Sequence, residues 1–391
     1  MPGNPSSCRL DLKQFQDTNG DHPSQTLIFH DDGSLWWIRI VADWPLPKSV
    51  KDLGYFKRRS GFQQFFEAID FARLQLLNNT VTHIALTLSE QTQDSIKIRD
   101  GFQTSDNYFM TLAHRMCCTI TEDPNKVSYP PLDQCWGLQK FEACHLQKVE
   151  EITPTVSIVL IEQHKLAYKS IDRVIYVPGD AEHVIDEIEA LSHFRGHPNI
   201  AQLVGLVVSA NPHRTNPSVD MLPVITGFLV EYYSGGSLEQ GIETNKVLDD
   251  ALLVQWALQI GEALQSLHLS SRIHLDMKPS NIVLDSQKNA ILIDISGTGG
   301  FGLEWLSPEM EMFIRRNTEN IPANASFAER IATDCWAYGK VLSILAIKSD
   351  SAGGVERLQS ISRRLMEAIP EARISSGHAL EELRNNESHG S

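Results

Sequence analysis

The stretch HLDMKPSNIVLD (274–285) constrains the fold of this chain more than any other. Before it, DDALLVQWALQIGEALQSLHL (249–269) repeats apolar residues every three or four positions, which predicts a helix with one buried face. After it, the apolar run AILI (290–293) predicts a strand that is followed by Asp294. The polar loop HLDMKPSN lies between this helix and short apolar runs. We therefore expect it to hold several polar side chains in fixed positions within a helical lobe.

Upstream of this lobe, four apolar runs predict strands. They are TVSIVLI (155–161), KLAYKSI (165–171), NIAQLVGLVV (199–208) and VITGFLVEYY (224–233). The first two flank Glu162-Gln163-His164 and predict a hairpin. DAEHVIDEIEALSHF (180–194) predicts a helix that opens on Asp180 as an N-cap. Residues 141–391 are therefore predicted to form a small β-rich lobe with one helix and a larger helical lobe.

Residues 1–140 are predicted to form a separate, small α+β region. TLIFHDDGSLWWIRI (26–40) predicts a hairpin around Asp-Asp-Gly, and THIALTL (82–88) predicts a strand. GFQQFFEAIDFARLQLLNN (61–79) predicts a helix with an aromatic face in the core. TEDPNKVSYPPLD (121–133) contains three prolines and indicates a boundary. The sequence assigns no role to this region.

Charge and cysteine usage limit the partners of the chain. Its 34 Lys and Arg against 49 Asp and Glu give a net charge of −15, which disfavours nucleic acids and anionic membranes. No apolar run approaches the roughly 20 residues that span a bilayer, and no secretory signal is visible. The six cysteines lack metal-ligand spacing and predict reduced thiols. We expect a cytoplasmic protein, with a nuclear location as the alternative.

Two charged residues of the small lobe fit the handling of nucleotide phosphates. Phosphoryl transfer depends on positioned charges: a cation on the phosphates, oxygen ligands for magnesium and an acceptor for the hydroxyl proton. Lys169 lies on a predicted strand, where its ammonium could reach the α- and β-phosphates. Glu187 follows 18 residues later on the predicted helix and could hold that ammonium in place.

Four polar residues of the helical lobe complete this set. Asp276 could orient a hydroxyl group and accept its proton, and Lys278 could neutralise a γ-phosphate. The side-chain oxygen of Asn281 and the carboxylate of Asp294 are oxygen ligands of the kind that magnesium prefers. The order and spacing of these residues predict an ATP site with magnesium.

These motifs are similar to those of the eukaryotic protein-kinase family, and the resemblance covers residues 141–391. HLDMKPSN resembles the catalytic loop of the family, IDISG (293–297) stands where its metal-binding Asp-Phe-Gly stands, and SPE (307–309) resembles its Ala-Pro-Glu. VEYYSGGSL (230–238) looks like the hinge, which implies that Glu231 and Tyr233 contact adenine through their backbone.

The resemblance implies two further contacts and a branch of the family. DCWAYG (334–339) looks like the start of the helix whose Asp braces the catalytic loop. Arg373 is the implied partner of Glu309. Lys278 indicates the serine/threonine branch.

The sequence also departs from the family at the phosphate-binding loop and around the catalytic residues. No glycine lies between Gly137 and Gly179, and the tip of the expected hairpin is Thr153-Pro154. Leu275 replaces the arginine that in the family binds the phosphate of a phosphorylated activation segment. Ile295 and Ser296 replace Phe and Gly, and only 14 residues separate Asp294 from Glu309.

Three functions therefore remain open at the level of the sequence. The first is a divergent ATP-dependent serine/threonine-type protein kinase that transfers the γ-phosphate to a protein hydroxyl. The second is a pseudokinase that acts as a nucleotide-binding or scaffolding module. The third is a small-molecule kinase, against which Lys278 and the SPE segment argue. The sequence does not identify the protein substrate or partner.

Overall fold

A computed structural model describes residues 8–18, 21–89, 96–99, 107–132, 137–172, 179–218, 222–244, 247–297, 301–317 and 320–385. The chain forms two compact units. The first contains Met1–Cys135, Asp172–Pro178 and Val208–Thr226, and the second contains the rest. The predicted division into two consecutive domains at residue 140 differs from these units, because two later segments, Asp172–Pro178 and Val208–Thr226, also belong to the first unit. Val208–Thr226 belongs there because it hydrogen-bonds to strand residues Leu35 and Trp37.

The first unit is built on a five-stranded sheet in which the strands follow chain order. β3 and β4 are parallel and the other neighbours are antiparallel. The predicted hairpin is confirmed, since Asp32 and Gly33 have φ values of 43° and 76° in the tight turn between β2 and β3. The predicted strand at 82–88 is also confirmed. The five strands are β1 Arg9–Thr18, β2 Asp21–Asp31, β3 Ser34–Ala42, β4 Val81–Leu88 and β5 Met116–Glu122.

In the described part of the first unit, three helices accompany this sheet: α1 Lys48–Lys51, α2 Tyr55–Ala68 and α3 Tyr108–Leu112. Phe62, Phe65 and Phe66 of α2 are fully buried in the core, as predicted. The predicted extent of the helix, 61–79, is wrong, because α2 ends at Ala68. There the chain turns extended, and Ile69 pairs with Ile98 while Asp70 N–H donates to Lys97 O at 2.9 Å. These backbone bonds to a distant segment replace the next helical turn.

The second unit begins with a six-stranded sheet in the order β6-β10-β11-β9-β8-β7. The predicted hairpin of β8 and β9 is confirmed, with Glu162 and Gln163 at positive φ in its turn. The strand predicted at 199–208 begins only at Leu203, because Asn199 O and Ala201 N instead bond to Leu292. The strands are β6 Gln139–Glu142, β7 Gln147–Thr153, β8 Val156–Ile161, β9 His164–Ser170, β10 Leu203–Ser209 and β11 Val224–Glu231.

One helix, α4 Asp180–His193, accompanies this sheet as predicted. Its buried face includes Val184, Ile188 and Leu191. The predicted N-cap is corrected by one position. Gly179 caps α4 with a φ of 102°, a backbone conformation that glycine adopts without a Cβ clash, and Asp180 is the first helical residue.

The remaining part of the second unit is mostly helical. The predicted helix at 249–269 is confirmed as α6, which begins after the N-cap Asp249. Trp256 on α6 donates from Nε1 to Lys288 O at 2.7 Å and so fixes a two-stranded ribbon. The helices are α5 Leu238–Thr244, α6 Asp250–Leu269, α7 Pro308–Arg316, α8 Phe327–Ile347, α9 Ala352–Leu365 and α10 Ser376–Asn385, and the ribbon strands are β12 Ile282–Leu284 and β13 Ala290–Leu292.

The predicted α+β architecture is confirmed: a β-rich part with one helix precedes a helical part, and a smaller α+β region precedes both. In the portion of the chain that the structure describes, no helix combines the length and the apolar character needed to cross a membrane.

Candidate active site

Lys169 lies at the centre of a cluster of opposite charges. It occupies β9, between Val156 on β8 and Phe228 on β11. Its Nζ donates to both carboxylate oxygens of Glu187 on α4, at 2.6 and 2.7 Å, and to Asp294 Oδ1 at 2.5 Å. Three residues that are far apart in sequence thus meet, and the predicted pairing of Lys169 with Glu187 is confirmed.

The charges in this cluster determine the protonation of its members. Burial by itself would lower the pKa of Lys169, but the carboxylates of Asp294 and Glu187 outweigh burial and raise it above its ordinary value. Burial by itself would raise the pKa of Asp294, but the Lys169 ammonium outweighs it and lowers that pKa. Lys169 is therefore a cation and Asp294 a carboxylate at neutral pH.

A second cluster forms in the loop at 274–281. Lys278 Nζ donates to both carboxylate oxygens of Asp276, at 2.7 and 3.0 Å. Asn281 donates from Nδ2 to Asp276 Oδ2 at 2.8 Å and to Asp276 O at 2.9 Å. Asp276 is thus held by two side chains. Because Nδ2 makes both contacts of Asn281, Oδ1 is the atom that this amide can offer to a metal ion.

The ribbon of β12 and β13 brings the two clusters together. Ile282 pairs with Leu292, so Asn281 lies opposite Ile293, whose N–H donates to Asn281 O at 3.1 Å. Asp294 is the next residue along the chain. The Lys278 ammonium also contributes to the lowered pKa of Asp294. Asn281 and Asp294 therefore occupy the same end of the ribbon.

These residues fit magnesium better than a metal held by protein alone. Within the described ranges, no group of three or more His, Cys, Asp and Glu side chains could hold a metal ion. One carboxylate and one amide oxygen suit magnesium, which usually takes its other ligands from water and substrate phosphates. Asn281 Oδ1 and Asp294 would hold the ion, and Lys169 would face the phosphates.

A buried carboxylate outside the six residues of the predicted ATP and magnesium site holds the backbone of the loop. Asp334 is fully buried on α8 and accepts from the backbone N–H groups of His274 and Leu275, both at 2.8 Å, and its Oδ2 lies 3.0 Å from His268 Nε2. The bracing role that the resemblance implied for Asp334 is present in the geometry. The implied helix start is wrong, because α8 begins at Phe327, with a capping box at Ser326 and Glu329.

His274 links the two clusters and was not predicted as a site residue. Its Nδ1 accepts from Asp276 N–H at 3.2 Å, and its Nε2 lies 3.0 Å from Ile293 O, which can only accept. The neutral ring protonated at Nε2 satisfies both contacts. A histidine two residues before Asp276 was the available signal in the sequence, but the partner carbonyl is a tertiary feature.

The backbone is held in unusual conformations at two of the site carboxylates, at Leu275 just before Asp276 and at Asp294 itself. Leu275 and Asp294 have φ values of 63° and 58°, a region that costs about 1–3 kcal/mol for residues other than glycine. Ile295 is buried. Gly297 has a φ of 69°, and a Cβ there would lie 2.6 Å from Ile273 O. The glycine that this segment requires is thus Gly297, one residue later than the family pattern implies.

The hinge residues are placed by the strand that carries them. Glu231 ends β11, three residues after Phe228, which pairs with Lys169. Glu231 N–H donates to Gln202 O at 3.0 Å, and Tyr233 accepts at its hydroxyl from Gln202 N–H at 3.1 Å. The contacts of the described residues do not bring either side chain to the Lys169 cluster. The predicted adenine contacts use backbone atoms, and they stay a prediction.

The tip of the β7–β8 hairpin satisfies its own backbone. Thr153 Oγ1 accepts from the N–H groups of Thr155 and Val156, at 3.3 and 3.1 Å. Thr155 O in turn accepts from Ser170 N–H at 2.8 Å. A side-chain hydroxyl therefore occupies two N–H groups at the place where the family resemblance implies N–H groups for the phosphates.

The segment after Asp294 ends in a fixed anchor. Arg373 Nη2 donates to Glu309 Oε2 at 2.8 Å, so the implied pair is present. Ser307 is fully buried, and its hydroxyl lies 3.0 Å from that of Thr333. Thr298, a candidate phosphorylation site of this segment, lies outside the described residues.

Comparisons with known proteins agree with this geometry. The family model for the protein kinase domain matches residues 156–383, more than half of the chain. A probable serine/threonine-protein kinase of Dictyostelium discoideum is 27% identical over 191 residues, which are 44% of this chain and 17% of that protein. CBL-interacting serine/threonine-protein kinase 7 of Arabidopsis thaliana is 24% identical over 219 residues, 54% of this chain and 44% of that protein.

The serine/threonine-protein kinase ULK3 of Homo sapiens is 28% identical over 181 residues, 45% of this chain and 34% of that protein. The chain thus spans less than half the length of each of these relatives. The chain belongs to the protein kinase family, and its similarity to serine/threonine kinases is at the level of that family.

Proposed function

We propose that the chain is an ATP-dependent protein kinase that transfers the γ-phosphate to a serine or threonine hydroxyl of a protein. The observation that carries this proposal is the double contact of Lys169 Nζ with Glu187 and Asp294. Holding a lysine between two carboxylates in a partly buried site offers little to stability by itself, because the charges must be desolvated. The arrangement is suited to a polyanionic ligand with its metal ion.

Each polar group has one task in this mechanism. Lys169 binds the α- and β-phosphates, and Asn281 Oδ1 and Asp294 hold magnesium, which neutralises phosphate charge when bound. Asp276 orients the acceptor hydroxyl and accepts its proton, while Lys278 stabilises negative charge on the transferred group. We also propose a cytoplasmic or nuclear location, which the cysteine pattern of the sequence supports.

The experiment is phosphate transfer from labelled ATP to the chain itself and to a generic serine/threonine substrate. Asp276→Asn should lower kcat by about 10²-fold or more, since it removes the proton acceptor, and should leave ATP affinity nearly unchanged. The matched control is Asp249→Asn, which removes one charge but preserves the N-cap of α6. Equal transfer by wild type and Asp276→Asn would contradict the proposal.

The alternative is a pseudokinase that binds nucleotide without transfer. The observation that favours it is the hairpin tip, where Thr153 Oγ1 occupies two N–H groups. Saturable binding of Mg-ATP to wild type, combined with no transfer to any acceptor and no autophosphorylation, would support this alternative. Binding lost in Lys169→Met would then still place the nucleotide at the same site.

A further inference from the structure

Strand β11 is shared between the two compact units. Its first three residues, Val224–Thr226, belong to the first unit, and Gly227–Glu231 belong to the second. Strand β10 likewise ends in the first unit, at Val208 and Ser209. The connection between two neighbouring strands of the six-stranded sheet is thus part of the N-terminal fold. A paired strand is a rigid element of the kind through which a constraint at one end can act on the other.

The connection is tied to the first unit at Thr215, which is buried. Thr215 N–H donates to Asn79 Oδ1 at 3.1 Å, and Thr215 Oγ1 accepts from Asn79 N–H at 2.8 Å. Thr215 O accepts from Leu35 N–H at 2.8 Å. Three hydrogen bonds to one residue make this a specific attachment.

A second attachment lies beside it and is aromatic. Trp37 Nε1 donates to Pro212 O at 3.0 Å, and its ring meets that of His213 edge-on with centroids 5.4 Å apart. Tyr129 contacts the same histidine, also at 5.4 Å. Burial lowers the pKa of His213 to about 4, so the ring is neutral at physiological pH and packs as part of this aromatic group.

The beginning of β11 is held by the first unit as well. Ile225 N–H donates to Pro130 O at 2.9 Å, and Val224 forms a β-bridge with Pro131. The proline-rich stretch that the sequence marked as a boundary therefore contacts this strand.

The other half of β11 lies against the nucleotide-site lysine. A Cβ on Gly227 would lie 2.1 Å from Lys169 O, so the two backbones approach as closely as only glycine permits. Phe228 pairs with Lys169, whose Nζ lies 5.6 Å from the centre of the Phe228 ring. Three residues further, β11 ends at Glu231. One continuous strand thus connects the attachment in the first unit to Lys169 and to the predicted hinge.

We propose that Trp37 and Thr215 are positioning residues for the nucleotide site and act through β11. The N-terminal unit then serves the kinase unit as a brace for the strand beside Lys169. The effect on nucleotide rests on the proposed ATP site, whereas the effect on the strand itself does not.

Two conservative variants test this proposal. Trp37→Phe keeps an aromatic ring and removes the bond to Pro212 O, and Thr215→Val keeps the shape and removes the acceptor for Asn79 N–H. The matched control is Trp36→Phe, at the next position of β3, where the lost Nε1 bond goes to Asn78 Oδ1 at 3.0 Å instead. Control and test variant thus lose the same kind of bond in the same strand.

The measurements are made on the full chain, well below its unfolding temperature. We expect Trp37→Phe and Thr215→Val to weaken Mg-ADP binding by about two- to tenfold and to raise the KM for ATP more than they lower kcat. Hydrogen exchange of the amides at 227–231 should become faster, while that of β4 stays unchanged. Trp36→Phe should change neither the affinity for Mg-ADP nor the exchange of the amides at 227–231.

The outcomes separate this proposal from the proposed function. If both variants show unchanged Mg-ADP affinity and unchanged hydrogen exchange at 227–231, the proposal that the first unit positions β11 is contradicted. If wild type binds no nucleotide, the proposed function fails. Hydrogen exchange alone then tests whether Trp37 and Thr215 position β11. Faster exchange at 227–231 in Trp37→Phe but not in Trp36→Phe would support the brace, and equal exchange would refute it.

Discussion

The β7–β8 hairpin and the loop at 274–281 both belong to the second unit, and the family resemblance directs both toward the nucleotide phosphates. In the loop, buried groups hold the backbone from behind, since Asp334 accepts from the N–H groups of His274 and Leu275. In the hairpin, the tip is exposed and bonds to itself through Thr153. The loop is held so that its polar side chains are presented in fixed positions, whereas in the hairpin tip two backbone N–H donors are already hydrogen-bonded to Thr153.

Under the proposed function, this difference separates transfer from phosphate binding. Asp276, Lys169 and Lys278 are each held in place by ion pairs, so the groups proposed for transfer are positioned. The proposed binding of phosphates by the hairpin would be weaker, because Thr153 Oγ1 already accepts from two of its N–H groups. We therefore expect slow transfer and weak nucleotide affinity.

The largest expected effect is from the buried support of the loop. Asp334→Ala leaves two buried N–H groups and His268 without their acceptor, and should lower the free energy of unfolding by about 3–5 kcal/mol. Urea unfolding measures this, with Asp249→Ala as the comparison at about 1 kcal/mol, the usual cost of a lost N-cap. Similar losses for the two variants would show that the loop is not held in this way.

The next effect concerns the charged cluster. Lys169→Met should lower the rate of transfer by about 10²-fold or more, since it removes a positioned cation. It should also raise the pKa of Asp294, because the group that most strongly opposes the effect of burial is then absent. In wild type the pKa of Asp294 is depressed, so the stability from this contact is present above the unfolded pKa near 3.8 and is lost as pH falls through the lower folded pKa.

Carboxylate NMR titration of the two proteins measures the pKa of Asp294. Lys165→Met is the matched control, since Lys165 is an exposed lysine on the same strand. A pKa of Asp294 that is the same in Lys169→Met and in wild type would contradict the contact between the two residues.

A smaller effect is expected at the tip of the β7–β8 hairpin, where the variant releases N–H donors instead of removing a contact. Thr153→Val removes the acceptor of two N–H groups and should tighten Mg-ATP binding by about two- to tenfold, as those donors become available to phosphate. Calorimetric titration provides the measurement. Thr155→Val preserves both bonds to Thr153 Oγ1 and should bind like wild type. Unchanged or weaker binding by Thr153→Val would show that the tip does not reach the phosphates.

The smallest effect is expected from phosphorylation of the segment after Asp294. Leu275 supplies no positive charge to a phosphate, and Ser307 is fully buried against Thr333. Phosphatase treatment should therefore change transfer activity by less than about twofold. Mass spectrometry before and after treatment provides the control. A large loss that maps to Ser296, Thr298 or Ser307 would contradict this expectation.

Much of the fold could be predicted because its signals are local. The turn at Asp32-Gly33 and the apolar stripe of α6 depend on residues that are neighbours in sequence. The ion pair of Lys169 and Glu187 was predictable from the motif order. The second partner of that lysine, Asp294, lies 125 residues away, and the contact became visible only in the folded chain.

The sequence by itself determined the element types, the catalytic-loop residues and the family, since periodicity and motif spacing are properties of short segments. Only the tertiary structure decided where α2 ends, because the backbone bonds at Ile69 and Asp70 come from residues 97 and 98. The same is true of β11, whose first residues belong to the N-terminal unit. Backbone hydrogen bonds between distant segments carry no side-chain signature, and for that reason no pattern in the sequence could reveal them.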